Sequence, residues 1–141
     1  MTIKDKKLTE LKLKKLITAI VCGDNTTIQN IVEKHSEVIN LKDKAGISPL
    51  HYCVEYGNIY AARLLIEHHC DINIKNRLGN CVLSEAISKK QYPNRYLMVK
   101  LLLEKGCDVH CLDNKSRTPL YLAKVYDPYF ISLLKQFGAK Y

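Results

Sequence analysis

The feature that most constrains this chain is that it repeats itself. A shift of 33 residues lays Gly46 on Gly79 and Leu50 on Leu83. Beyond Lys90 the offset becomes 37 and the match tightens: Leu64-Leu65-Ile66-Glu67 falls on Leu101-Leu102-Leu103-Glu104, and Cys70-Asp71-Ile72-Asn73 on Cys107-Asp108-Val109-His110. The same offset brings Cys81-Val82-Leu83 onto Thr118-Pro119-Leu120. Backwards by 33, Ile31-Val32 meets Leu64-Leu65, and Ile39-Asn40 meets Ile72-Asn73. The extra residues lie around Gln91-Tyr92-Pro93-Asn94-Arg95, whose Pro and Asn suit a loop. A fixed period of this length means one supersecondary unit used repeatedly, each copy stacked on the next because none can bury its apolar face alone. Four units are expected, over residues 9–42, 43–75, 76–112 and 113–141, within a single domain spanning 1–141.

Each unit reads as helix, turn, helix and a short extended link, so the expected fold is all-α. In the second unit Ser48 can cap a helix and Pro49 suits its first position, where a missing N–H costs nothing. Leu50, Cys53 and Val54 form one apolar stripe, and Gly57 ends the helix. Ile59, Ala62, Leu65 and Ile66 continue at helical spacing. Gly46 and Gly79 fall at equivalent points of the polar tips, where a positive φ is wanted.

These residues resemble the ankyrin-repeat family. Ser48-Pro49-Leu50-His51 and Thr118-Pro119-Leu120-Tyr121 are similar to its T-P-L-H element, and Gly106-Cys107-Asp108-Val109-His110 to its G-A-D-V-N ending. The resemblance implies an ankyrin-repeat solenoid of helix-turn-helix units. The first unit lacks the T-P-L-H element, the third reads Cys81-Val82-Leu83-Ser84, and Lys90 and Asp127 replace a turn glycine. Atypical outer units are what capping repeats require. The composition, rich in Lys, Ile, Asn and Tyr, and the run Asn73-Ile74-Lys75-Asn76-Arg77-Leu78-Gly79-Asn80 are most similar to poxvirus ankyrin-repeat proteins. That likeness implies interference with a host signalling protein in the host cytoplasm. Many such proteins end in an F-box-like segment; this sequence ends inside its last repeat, so recruitment by that route is not expected.

Six cysteines invite a disulfide or metal reading, and the register gives a plainer one. Cys53 stands where Ala86 and Ala123 stand, Cys70 and Cys107 align with Ala139, and Cys81 occupies the place of Ser48 and Thr118. Cysteine here is expected to act as a small buried residue. The spacing Cys107-x-x-x-Cys111 beside His110 misses the zinc patterns, so no metal and no cofactor are expected. With no secretory leader, the chain is expected in a reducing compartment, without a disulfide framework. His51 is expected to be structural, tying neighbouring repeats together as the family's histidine does. No phosphate-cradling loop, nucleophile elbow or H-E-x-x-H occurs, so the chain is not expected to be an enzyme.

The expected function is protein binding through the tips of the links and the concave face of each first helix, as the resemblance implies. Carried across by position, the surface comprises Lys42, Lys44, Ile47, Glu55 and Tyr56, then Lys75, Arg77, Leu78, Asn80 and Lys89 (with Ser88), and finally Asn114, Lys115, Arg117 and Tyr126 (with Val125). Seven of these are basic and one is acidic, in a chain whose formal net charge is +8, so the expected partner is an acidic protein segment. Nucleic acid or an anionic surface is the alternative, disfavoured because separate tips offer neither a groove-reading helix nor a stacking platform. No run is apolar enough to cross a membrane, and the cytoplasm is the expected location. Six lysines in the first fifteen residues also fit a nuclear signal or a membrane-surface helix. A capping helix with Leu8, Leu11, Leu16, Ile17 and Ile20 towards the core is the plainer reading. The apolar run Tyr126 to Leu134 is expected to fold back over the last repeat, giving a monomer; otherwise it is a sticky face that pairs two copies.

Overall fold

The computed structural model describes residues 1–89 and 92–140; the Lys90 turn position and Gln91 lie outside the described residues. Among these the only pairing of extended backbone is a single antiparallel bridge between Lys75 and Cys81, and all regular structure is helical. The chain divides into two compact units, Met1–Asp71 and Ile72–Tyr141.

The first unit holds α1 (Ile3–Cys22), α2 (Asn25–Lys34), α3 (Pro49–Tyr56) and α4 (Ile59–Glu67). Thr2 and Asp5 form a reciprocal capping box that starts α1, and Gly23 ends it at φ 74°. Asp24, Ser48 and Asn58 cap the three helices that follow, each through its side-chain oxygen. α1 packs on α2 and α3, α3 on α4, and α2 on α4. Leu16, Ile20, Ile28, Leu50 and Leu65 are fully buried between them. The α1 side of this core differs from expectation. Leu16 and Ile20 are buried and Ile17 is half-buried, but Leu8 is exposed and Leu11 is 62% exposed. The inward stripe is Leu13, Leu16, Ala19 and Ile20, at 3.6-residue spacing, which turns Leu8 and Leu11 outward.

The second unit holds α5 (Val82–Ser88), α6 (Arg95–Glu104), α7 (Pro119–Tyr126) and α8 (Ile131–Gln136). α5 packs on α6 and α7, and α7 on α8, burying Leu83, Ile87, Met98, Leu102, Leu120 and Leu122. Arg95, expected in the loop, begins α6; its guanidinium pairs with Asp127 and lies 5.0 Å above the Phe130 ring. The aromatic run folds back in part: Phe130, Leu133 and Leu134 are buried, whereas Tyr126 and Tyr129 stay exposed. Phe130 is 1% exposed and stacks on Tyr96, with Tyr129 edge-on 5.4 Å away.

One hydrogen bond recurs along the chain and explains part of the repeat. The Asn40 side-chain oxygen accepts from the Asp71 backbone at 2.7 Å, and Asn73 accepts from Asp108 at 2.8 Å. At the next step His110 replaces the asparagine, and its Nε2 accepts from the Lys140 backbone at 3.2 Å. Asparagine and unprotonated imidazole nitrogen are both acceptors, so the change of residue preserves the tie.

Candidate interaction surface

Three tips carry most of the expected contact residues, and the same device builds each. In the first, Asp43 Oδ1 accepts from the backbone of Ala45 and of Ile47, both at 3.0 Å. In the second, Asn76 Oδ1 accepts from Leu78 and Asn80, also at 3.0 Å. In the third, Asp113 Oδ1 accepts from Lys115 and Arg117 at 2.9 Å. A left-handed residue closes each turn: Gly46 at φ 75°, Gly79 at 83° and Ser116 at 58°. Each tip is thus pinned from inside by one short polar side chain.

Each bracket also has a brace, and the bracing chemistry alternates. Tyr52 donates its hydroxyl to the Asp43 carboxylate. Burial first, and the Asp43 bond second, push that hydroxyl up to about 12. Where the tip residue is an amide, the brace becomes an acceptor: Glu85, in the repeat position of Tyr52, accepts from Asn76 at 3.2 Å and from Asn80 at 3.0 Å. In the third tip Arg117 Nε and Nη2 reach Asp113 Oδ2 at 2.8 and 2.7 Å. Burial raises the Asp113 pKa, but the Arg117 side chain and the backbone N–H groups outweigh it and hold the carboxyl below its usual value.

This geometry sorts the expected site residues into two groups. In the first unit Lys42, Lys44 and Tyr56 are exposed, while Ile47 and Glu55 are half-buried. In the second unit Lys75, Arg77, Leu78, Asn114, Lys115 and Tyr126 are exposed, and Asn80, Lys89 and Arg117 are half-buried. Among the described residues the side chains of Lys42, Lys44, Arg77 and Lys115 hold no ion pair or hydrogen bond. Others are engaged. Asn80 also accepts from the Asn114 backbone at 3.2 Å, Lys75 reaches the Leu112 carbonyl at 3.4 Å, and Lys89 pairs with Glu85. Arg117, expected as a partner contact, is engaged within the fold as well: besides Asp113 it donates to the Tyr126 hydroxyl at 3.4 Å.

The cysteines depart from expectation in one respect. Cys53, Cys70 and Cys107 are buried free thiols. Burial pushes Cys53 well above the usual thiol range and Cys70 and Cys107 up to about 12, so they behave as small apolar residues. Cys81 and Cys111, however, form a disulfide with Cα atoms 6.8 Å apart. The repeat register matches residues that occupy like places, not residues of successive repeats that touch, so this pair left no mark in it. Ser84, in the repeat position of His51, lies beside both sulfurs, 3.1 Å from Cys81 and 3.9 Å from Cys111. In the preceding repeat the equivalent pair is polar, with Ser48 Oγ 2.8 Å from His51 Nδ1.

A groove that sequence reasoning missed lies in the first unit, between α1 and the link at 42–45. Lys7, Leu11, Lys14, Ile17 and Thr18 line one wall, and Lys42, Asp43, Lys44 and Ala45 the other, around about 870 Å³. Its outward stripe on α1 was the available signal, hidden by assigning Leu11 to the core. A second cleft of about 500 Å³, lined by Tyr92, Arg95, Tyr96 and Tyr129 among others, lies in the second unit.

Residues 16–113 match the family model described as ankyrin repeats in three copies. Ankyrin repeat domain-containing protein 13C-A of Xenopus laevis is 36% identical over 83 residues, covering 59% of this chain and 15% of that protein. Inversin of Mus musculus is 29% identical over 122 residues, 86% of this chain and 11% of the relative. A putative ankyrin repeat protein of fowlpox virus, FPV230, is 35% identical over 80 residues, 57% of this chain and 40% of its own length. The chain therefore matches only a minor part of each of these relatives. With the recurring ties, the bracketed tips and this match in agreement, the chain belongs to the ankyrin-repeat family.

Proposed function

We propose that the chain is a non-catalytic interaction module that binds an acidic segment of a protein partner through its tips. Ankyrin repeats are generally protein–protein interaction modules and typically non-catalytic, and the relatives carry repeat-protein names rather than enzyme names. The observation that carries the acidic preference is the set of exposed, unengaged cations at the tips: Lys42 and Lys44 in one unit, Arg77 and Lys115 in the other. Cations held out from bracketed turns steer an acidic partner towards the tips. Tyr56 and Tyr126, both exposed, add amphipathic contact area of the kind that anchors interfaces.

The likeness to the fowlpox protein supports action on a host signalling protein in the host cytoplasm, where glutathione would hold the Cys81–Cys111 pair as thiols. The buried Phe130 supports a monomer, since that ring packs within its own unit, although Tyr126 and Tyr129 stay exposed. The test is a quantitative pull-down from host cytosol with the wild-type chain and a Lys44→Glu, Arg77→Glu, Lys115→Glu variant. Arg117 is left intact because reversing it would disturb its own tip. Proteins with acidic segments should drop at least tenfold from the variant's capture, with its melting temperature unchanged. Equal capture by both chains would sink the proposal.

A further inference from the structure

The groove in the first unit has a composition that its role as a cap does not require. α1 turns Lys7, Leu11, Lys14 and Thr18 along one stripe, with Leu13 and Ile17 at its foot, and the link opposite presents Lys42 and Lys44. Leu11 is the most exposed apolar residue of this wall, although the helix has a complete inward stripe without it. Two carboxylates stand nearby. Asp43 is spent on its bracket, accepting from Ala45, Ile47 and Tyr52, which leaves Glu10 as the one acidic side chain of the described lining available to the lysines. Lys12 pairs with Glu37 at 3.4 Å and is not among the lining residues; Lys7, Lys14, Lys42 and Lys44 make no such pair among the described residues.

We infer that this groove receives an acidic amphipathic helix of about three turns from a protein partner, its apolar side on Leu11, Leu13 and Ile17 and its carboxylates between the two rows of lysines. The inference rests on the reading of the chain as a binder of acidic protein and specifies where and in what form. Length sets the three turns: the wall runs from Lys7 to Thr18, roughly 16 Å at about 1.5 Å per residue. An apolar floor with charged edges is the arrangement that reads an amphipathic helix at i, i+3/4 and i+7. Nucleic acid fits less well, because no aromatic ring is among the described lining residues for base stacking.

The test uses the full chain and a phage-displayed random 16-residue peptide library. Selected peptides should be acidic with apolar residues at helical spacing. As synthetic fluorescent peptides they should bind Leu11→Ser and Lys14→Glu at least tenfold more weakly than wild type. Leu11 and Lys14 are exposed, so both variants should melt with the wild type; amide shift changes at Leu11, Ile17 and Lys44 on the wild-type chain give a readout that needs no variant. Peptides indifferent to these changes but lost on Arg77→Glu, Lys115→Glu overturn the groove and leave the proposed function standing. Failure to select acidic peptides, with a single-stranded oligonucleotide bound instead, overturns both. Self-association in sedimentation that Leu11→Ser abolishes would assign the groove to a second copy and overturn the inference.

Discussion

The bracket at Asp113 allows a test in which two substitutions at one atom group should separate by an amount worked from its contacts. Asp113 is buried, and its two oxygens accept from two backbone N–H groups and from two guanidinium nitrogens. Asp113→Ala removes all of these. The half-buried Arg117 can turn to water, but the backbone donors of the turn lose their partner inside it, for a cost of about 2–4 kcal/mol. Asp113→Asn keeps the oxygen that pins the turn, as Asn76 does in the preceding repeat, and loses the charge pairing, for about 0.5–1.5 kcal/mol. For a chain of 141 residues the alanine variant should melt about 6–12 °C lower than wild type and the asparagine variant about 2–5 °C lower. The assay is reversible thermal and urea unfolding, with hydrogen exchange at the Lys115 and Arg117 amides to place the loss. The pH dependence has a fixed sign. The folded carboxyl titrates below its unfolded value, so its contribution is whole above the ordinary carboxylate pKa and is lost as pH falls. The gap between wild type and Asp113→Asn should therefore close from about pH 5 downwards. Alanine and asparagine variants within about 0.5 kcal/mol of each other at pH 7 would refute the bracket as the source of tip rigidity.

Asn76→Asp, conservative in shape, should cost about 1–2 kcal/mol because it sets a carboxylate against Glu85 where amide protons now bind it; restoring stability with Glu85→Gln would confirm the cause in a double-mutant cycle. Leu16→Ala should cost about 2–5 kcal/mol and Leu11→Ala less than about 0.5, measured by urea unfolding; similar costs would mean the α1 stripe is misassigned. Cys81→Ser should unfold independently of dithiothreitol, whereas the wild type should lose about 3–4 kcal/mol on reduction, the loop-closure value for a separation of 30 residues. Under reductant the serine should gain about 0.5–1 kcal/mol over wild type, since Cys81 makes no cap hydrogen bond and Ser48 in its place does.

How much of this was legible in the sequence depended on whether a property belongs to one repeat or lies between two. Ser48, Pro49, Gly57 and the tip glycines could be read locally, because capping and left-handed backbone are decided by a residue and its near neighbours. Ser116 escaped, since a positive φ at serine carries no sequence mark. The α1 facing was misread because its apolar residues outnumber the inward positions, so periodicity alone admitted more than one stripe. Arg117, expected as a partner contact, also braces its own turn through Asp113. Exposure of a loop is predictable, whereas the pairing of Arg117 with Asp113 depends on how the turn folds back and shows only in coordinates. The Cys81–Cys111 contact and the α1 groove escaped for the same reason, both being relations between elements.

The basic character of the tips also follows from what the fold does with its acids. Helix starts and tight turns present N–H groups that need acceptors, and the side chains of Asp5, Asp24, Asp43 and Asp113 supply them. Lysine has no matching structural use here, because it carries donors only. Acids that are hydrogen-bonded in place keep their charge but cannot swing out to pair with a neighbouring lysine. Lys42 and Lys44 beside Asp43, and Lys115 beside Asp113, therefore stay unneutralised, while the tip of Arg77 is bracketed by the neutral Asn76. A chain of equal net charge with its acids on mobile side chains would partly quench its own tips, so bracketing the turns from inside is what keeps these cations available to an incoming acidic chain.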